Sequence, residues 1–423
     1  MKLATTFLSG AKSRLLPASI PFRFFAAAAV FHVFGWAALV VSAQHAVSFR
    51  GGLGPTLAAV HLFTLGVLTA AAIGASTQLL PVATRRALAA TWPIRLVFWL
   101  FIPGLAALTA SMYAAQPQLG IAAAAVTVAG LLLFAGLLAD NLRRASGVPV
   151  VAAYGWAALA SLAGLTALGV ALMLDYETGL LRNHPSFALA HLILGGFGFM
   201  GLLVFGFSHI LVPMFALSAA PAQRPSLIAL ALALLGVALG ALGALADNVA
   251  TLTLAALAGL AASALHIFLM RQVLAAGMRK RLGLSFLLVR AAWWMLPLCV
   301  LVGLATLHGF AGPNGATLFG FLLLDGWLLT FLLGVLQRIL PFLASMHTAR
   351  SAGSSPPLLS ELAASTPLKL HAGCHGLALV AISVAIAADI APLMAAGAVI
   401  GLVGALAFAW FTADVTRRMI GAA

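Results

Sequence analysis

The chain has 423 residues, of which 63% are hydrophobic and only 7% charged, and its mean hydropathy is +1.14. A soluble domain of this length needs far more charge to cover its surface, and the alternating pattern of a membrane β-barrel is absent. The net charge of +14 would suit nucleic acid, but its placement along the chain speaks for membrane topology and against a nucleic-acid partner.

Apolar runs able to cross ~30 Å of hydrocarbon as helices recur along the whole chain. They predict twelve spans, at roughly 22–43, 55–81, 94–114, 119–139, 149–174, 187–217, 225–245, 250–272, 286–308, 314–343, 368–388 and 392–416. Residues 1–20 carry Lys2, Lys12 and Arg14 without a small-residue cleavage site before the first span. The first span therefore reads as a retained helix and not as a signal peptide.

The first span holds His32 midway. The second is "HLFTLGVLTAAAIGASTQLLP", His61 to Pro81, and the sixth holds "HLILGGFGFMGLLVFGFSHILVP", His191 to Pro213. The ninth contains Cys299 and ends near His308. The tenth carries Asp325, the one carboxylate deep within a span, and Arg338, which is expected to snorkel. Asp325 reads either as a proton relay or as part of a packing notch with Gly326 and Trp327. Residues 344–369, Ser/Pro-rich, read as a flexible cytoplasmic linker. The eleventh span opens with "LHAGCHGL", Leu370 to Leu377. There His371, Cys374 and His375 share a helical face and suit copper(I) or zinc, or else helix packing. A disulfide between Cys299 and Cys374, in opposite halves of the bilayer, is not expected.

With the N-terminus placed in the cytoplasm, all of the 22 Lys and Arg except Arg50 and Arg182 fall on the inner side. The positive-inside rule then puts both termini in the cytoplasm. The segments "GASTQLLP", "GFSHILVP" and "GVLQRILP" share the form Gly, six residues, Pro, and their prolines, Pro81, Pro213 and Pro341, are nearly evenly spaced along the chain. They end spans two, six and ten, so the expected fold is all-α: twelve transmembrane helices in three pseudo-repeated four-helix units, about 22–139, 149–272 and 286–416. The proline is expected to end each helix at the cytoplasmic surface.

Depth follows from the helical rise of ~1.5 Å per residue. His61 and His191 lie at one outer-leaflet depth, with His32 and His308 in or near that layer, while His45 and His184 belong to the outer edge. His209, His266, His347, His371 and His375 lie toward the cytoplasm. Neutral imidazoles facing each other across a bundle suit haem iron or copper. They equally suit hydrogen bonds between helices, and the residues alone leave the choice open.

Three four-helix arcs with histidines on the second and sixth helices resemble the heme–copper oxidase subunit I superfamily. The stretch "PFRFFAAAAVFHVFGW" (Pro21 to Trp36), followed by "AAVHLFTLGVLTAAAIGASTQLLPV", is similar to the opening of the NnrS family, twelve-helix membrane proteins associated with haem, copper and nitric oxide stress. "DGWLLTFLLGVLQRILPFLASMHTAR" (Asp325 to Arg350) is similar to a stretch of uncharacterised bacterial relatives of oxidase subunit I. On this resemblance His61 matches the second-helix ligand of a low-spin haem, and His191 falls on the helix that supplies a copper ligand. The resemblance implies a non-covalent b-type haem, copper as a further candidate, a bacterial cytoplasmic membrane, and a cytochrome, quinol or other respiratory subunit as partner. Two departures stand against a complete oxidase or nitric oxide reductase. The tenth span has no His-x-His pair, and residues 225–250 have no His-His pair.

Two other readings remain open at this point. One is a secondary transporter of a small solute or ion, since no phosphate-binding Gly-rich loop is present; the other is a structural subunit of a respiratory complex.

Overall fold

A computed structural model describes residues 16–87, 90–351 and 359–421. Among them there is no strand, and twelve helices are long and apolar enough to cross a membrane. They are α1 (Ser19–Ala46), α2 (Pro55–Ala83), α3 (Trp92–Tyr113), α4 (Pro117–Arg143), α5 (Pro149–Thr178), α6 (His184–Ala216), α7 (Gln223–Leu245), α8 (Val249–Ala276), α9 (Gly283–Leu307), α10 (Gly315–Thr348, continuing to Ser351), α11 (Ser365–Ala388) and α12 (Ala391–Gly421). The protein is a multi-pass membrane protein. Five helices in a row, α2 to α6, start with proline in the first turn, where its missing N–H has no intrahelical partner to lose. The Asn248 carboxamide caps α8 by accepting from the Thr251 backbone N–H at 2.9 Å.

Three hairpins, α3–α4, α7–α8 and α11–α12, carry extensive helix–helix contacts, and α12 packs back against α1. The centre is made by α2, α6 and α10; α2 and α10 are the most buried of the twelve. Each of the three widens into a π-helical segment, Leu62–Thr69, Leu194–Gly201 and Leu322–Leu329. Each segment begins at the same sequence distance before the motif proline of its own helix, Pro81, Pro213 or Pro341. The third touches both of the others. In α2 and α10 a threonine hydroxyl donates to the carbonyl five residues back, Thr69 to Thr64 at 2.9 Å and Thr330 to Asp325 at 2.7 Å, as the wider turn requires.

The motif glycines have one job in common. A Cβ on Gly74 would lie 3.1 Å from the Phe24 Cβ of α1, one on Gly206 would lie 2.8 Å from the Tyr154 Cβ of α5, and one on Gly334 would lie 2.8 Å from the Ser285 carbonyl oxygen of α9. Each lets its helix close on the helix before it.

Three expectations need correction. Pro81, Pro213 and Pro341 lie inside their helices and do not end them; surrounding helices hold a proline turn together when a membrane helix is packed on several sides. The connection expected over 344–369 is shorter, because α10 runs on to Ser351, one helical turn occupies Leu359–Leu362, and α11 begins at Ser365. Residues 352–358, and Lys2, Lys12 and Arg14, lie outside the described residues. Arg338 does not snorkel freely. Its guanidinium donates to the Ser285 hydroxyl at 2.9 Å and to the Leu282 carbonyl, and lies over the rings of Phe215 and Phe286.

Candidate functional site: three groups of histidines

His61 and His191 meet. His61 closes the last α-helical turn before the π segment of α2, and His191 lies three residues before that of α6. Their ring centroids are 6.4 Å apart with planes tilted by 31°. The His61 Nδ1–H donates to the Leu57 carbonyl at 3.0 Å, and the His191 Nδ1–H donates to the Leu165 carbonyl of α5 at 3.1 Å. A carbonyl oxygen only accepts, so in the neutral ring the proton sits on Nδ1 and Nε2 keeps its lone pair. Gly169 on α5 leaves room for the His191 ring, whose Cε1 would lie 3.0 Å from a Cβ there.

The other two residues expected in that layer go elsewhere. His308 is exposed at the C-cap of α9, where its Nε2 meets the Thr253 hydroxyl of α8 at 3.1 Å. His32 is buried against α11, its ring centroid 6.3 Å from that of His371 and 6.1 Å from that of Phe408. The Trp36 Nε1–H donates to His32 Nε2 at 3.0 Å. That contact occupies the lone pair, so the neutral ring carries its proton on Nδ1, which has no partner.

His371 and His375 stack on each other, 5.8 Å between centroids. The His375 Nε2 meets the Thr330 hydroxyl at 2.7 Å. That hydroxyl already donates to the Asp325 carbonyl, so His375 donates to it. The Gln337 amide lies 3.4 Å from His371 Nδ1, and His371 Nε2 has no partner. Cys374 does not join the two histidines. Its Cβ would lie 3.0 Å from a Cβ on Gly404, so the half-buried thiol side chain faces α12 while both imidazoles face inward. The helix turns about 100° per residue, and three residues leave Cys374 on the flank. Among the described residues no three His, Cys, Asp or Glu side chains converge as a metal site.

Asp325 is buried within the π segment of α10, and its Oδ1 has no hydrogen-bond partner. Thr330, His375, His371, Gln337 and His32 thus form a polar seam from α10 through α11 to α1. Of these, the sequence reading missed Thr330 and the regrouping of His32 with His371. The His32–Trp36 spacing of four residues was the one local signal available.

The third group was legible only as depth. His209 of α6 and His266 of α8 lie with ring centroids 5.9 Å apart, clustered with Tyr154 and Phe205.

No protein-family model matches the chain, and no curated protein matches it.

Proposed function

We propose that the chain is a haem- and/or copper-binding protein of a bacterial-type cytoplasmic membrane, of the oxidase/NnrS kind but without the usual binuclear centre, serving electron transfer, nitric oxide response or metal handling. The observation that carries this reading is the His61–His191 pair. Two imidazoles on opposite sides of one ion, each bound at ~2.0–2.1 Å, place their centroids about 6 Å apart, close to the 6.4 Å found. Ligating histidines characteristically donate their other N–H to a carbonyl, which fixes tautomer and ring orientation, and both rings do so here. The donor set fits iron or copper, and His61 and His191 would hold the group; bound there, it would supply one-electron chemistry.

The same reading includes a threefold repeat and cytoplasmic termini. The repeat is supported by the near-even spacing of the prolines, by the constant offset of each π segment from its proline, and by the matching roles of Gly74, Gly206 and Gly334. The orientation is supported by the distribution of Lys and Arg. A cytochrome, quinol or other respiratory subunit is the partner this chemistry calls for.

A secondary transporter is the second reading, and one observation favours it: Asp325, with an unpartnered carboxyl oxygen, lies in the π segment of α10, which touches those of α2 and α6. Optical spectra of the detergent-purified protein, oxidised and dithionite-reduced, with iron and copper analysis, separate the two. A Soret band or bound copper that is lost in His61→Ala or His191→Ala supports the first. A colourless, metal-free protein from haem- and copper-replete cells overturns it and leaves the transporter.

A further inference from the structure

Span α6 carries a second ligand-ready histidine at its other end. From His191 to His209 the helix advances about 27 Å at a rise of ~1.5 Å per residue. The two therefore cannot serve one ion. The His209 Nδ1–H donates to the Phe205 carbonyl one turn back at 2.8 Å, so Nε2 keeps its lone pair, and that nitrogen is buried without a partner. The same Nδ1–H bond to a main-chain carbonyl is seen at His61 and His191.

Opposite stands His266 of α8, 1% exposed, with no partner on either ring nitrogen. Its ring lies flat on Phe205, 3.8 Å between centroids and 3° between planes, so its orientation is fixed without any hydrogen bond. Tyr154 packs against His209 at 5.4 Å, brought there by the close approach of α5 at Gly206. Its hydroxyl reaches toward the Ser226 carbonyl of α7 at 3.4 Å. Three ring nitrogens thus remain unsatisfied beside two aromatic rings. Polar groups left unpaired inside a membrane protein are costly and mark functional positions.

We propose that His209 and His266 form a second metal site, for a monovalent, two-coordinate ion of the cuprous class. The donor chemistry selects this class. Zinc requires three or four ligands, and no third His, Cys, Asp or Glu side chain completes a set among the described residues. Magnesium and calcium require oxygen ligands. Neutral imidazole suits copper, and with no counter-charge in contact a single positive charge is the least costly to bury. The site does not depend on the His61–His191 pair.

The test is anaerobic titration of the full-length protein in detergent with Cu(I), in competition with a chromophoric Cu(I) chelator. The His61→Ala/His191→Ala double variant is expected to retain one tightly bound copper, whose X-ray absorption reports two nitrogen neighbours. His209→Phe and His266→Phe, which keep the aromatic packing, are expected to lose one equivalent relative to wild type or to hold it at least tenfold more weakly. Copper binding unchanged in both Phe variants overturns the proposal, and so does a double variant that binds no copper. The latter result with metal bound by wild type leaves the His61–His191 reading standing, so the two failures are distinguishable. Where a Phe variant does not elute as folded protein, the neighbour count of the copper in the double variant decides.

Discussion

The imidazoles of His61 on α2 and His191 on α6, far apart in the chain, lie 6.4 Å apart between centroids, and each donates its Nδ1–H to a main-chain carbonyl. Neither ring is held by the other. The pair is oriented from outside, which leaves each Nε2 lone pair to a ligand.

Gly169→Ala tests that orientation without touching a histidine. The new methyl would stand 3.0 Å from His191 Cε1, so the ring has to move by a few tenths of an ångström and its bond to Leu165 weakens. Loss of an orienting contact typically lowers metal affinity by about 10–100-fold. Retained metal after chelator challenge should fall, while thermal unfolding in detergent shifts little. Metal retention equal to wild type would remove Gly169 from the site.

The motif glycines should differ from an ordinary helix glycine. Gly334→Ala sets a methyl 2.8 Å from the Ser285 carbonyl oxygen, a main-chain atom, and Gly206→Ala sets one 2.8 Å from the Tyr154 Cβ. Each is expected to destabilise by about 1–3 kcal/mol. Gly136, inside α4 with nothing within 4 Å of its virtual Cβ, should be neutral or gain up to about 1 kcal/mol as alanine. Unfolding midpoints in detergent or chemical denaturation would show the ranking. Equal effects at all three would mean that the close contacts do not limit stability.

Thr330→Val removes a hydroxyl that serves both the π segment of α10 and His375 of α11. With His375 Nε2–H left unpaired and the Asp325 carbonyl left to the Thr330 main-chain N–H alone, the loss should be about 1–3 kcal/mol. Thr330→Ser should restore most of it. If serine is as damaging as valine, packing of the methyl group, and not the hydroxyl, holds the seam.

Reporter fusions test the orientation. Alkaline phosphatase fused after Ala423 should be inactive and a fluorescent protein there should fold, while phosphatase fused in the 179–183 loop should be active. The opposite pattern would invert the depth assigned to every histidine, although not their mutual contacts.

Much of the architecture is legible in the residues because the bilayer imposes it. A helix must be about 20 apolar residues long to cross, and all twelve described helices overlap the intervals read from hydropathy. The match of His61 with His191 is legible for the same reason, since the rise per residue is fixed; the same reckoning misplaced His32, which lies beside His371. The spacing of Gly74, Gly206 and Gly334 from their prolines likewise marks the three central helices.

What only the tertiary structure decided is azimuth: which face of each helix meets which neighbour. In a soluble helix the polar face reveals it, but here lipid-facing side chains are as apolar as packed ones, so the pattern carries little directional signal. The π segments of α2, α6 and α10 compound this, because each shifts the hydrogen-bond ladder from four residues to five and rotates everything beyond it. Packing between helices, and not spacing along them, puts His32 beside His371, near the other end of the chain. Packing also decides that His209, beyond the π segment of α6, meets His266.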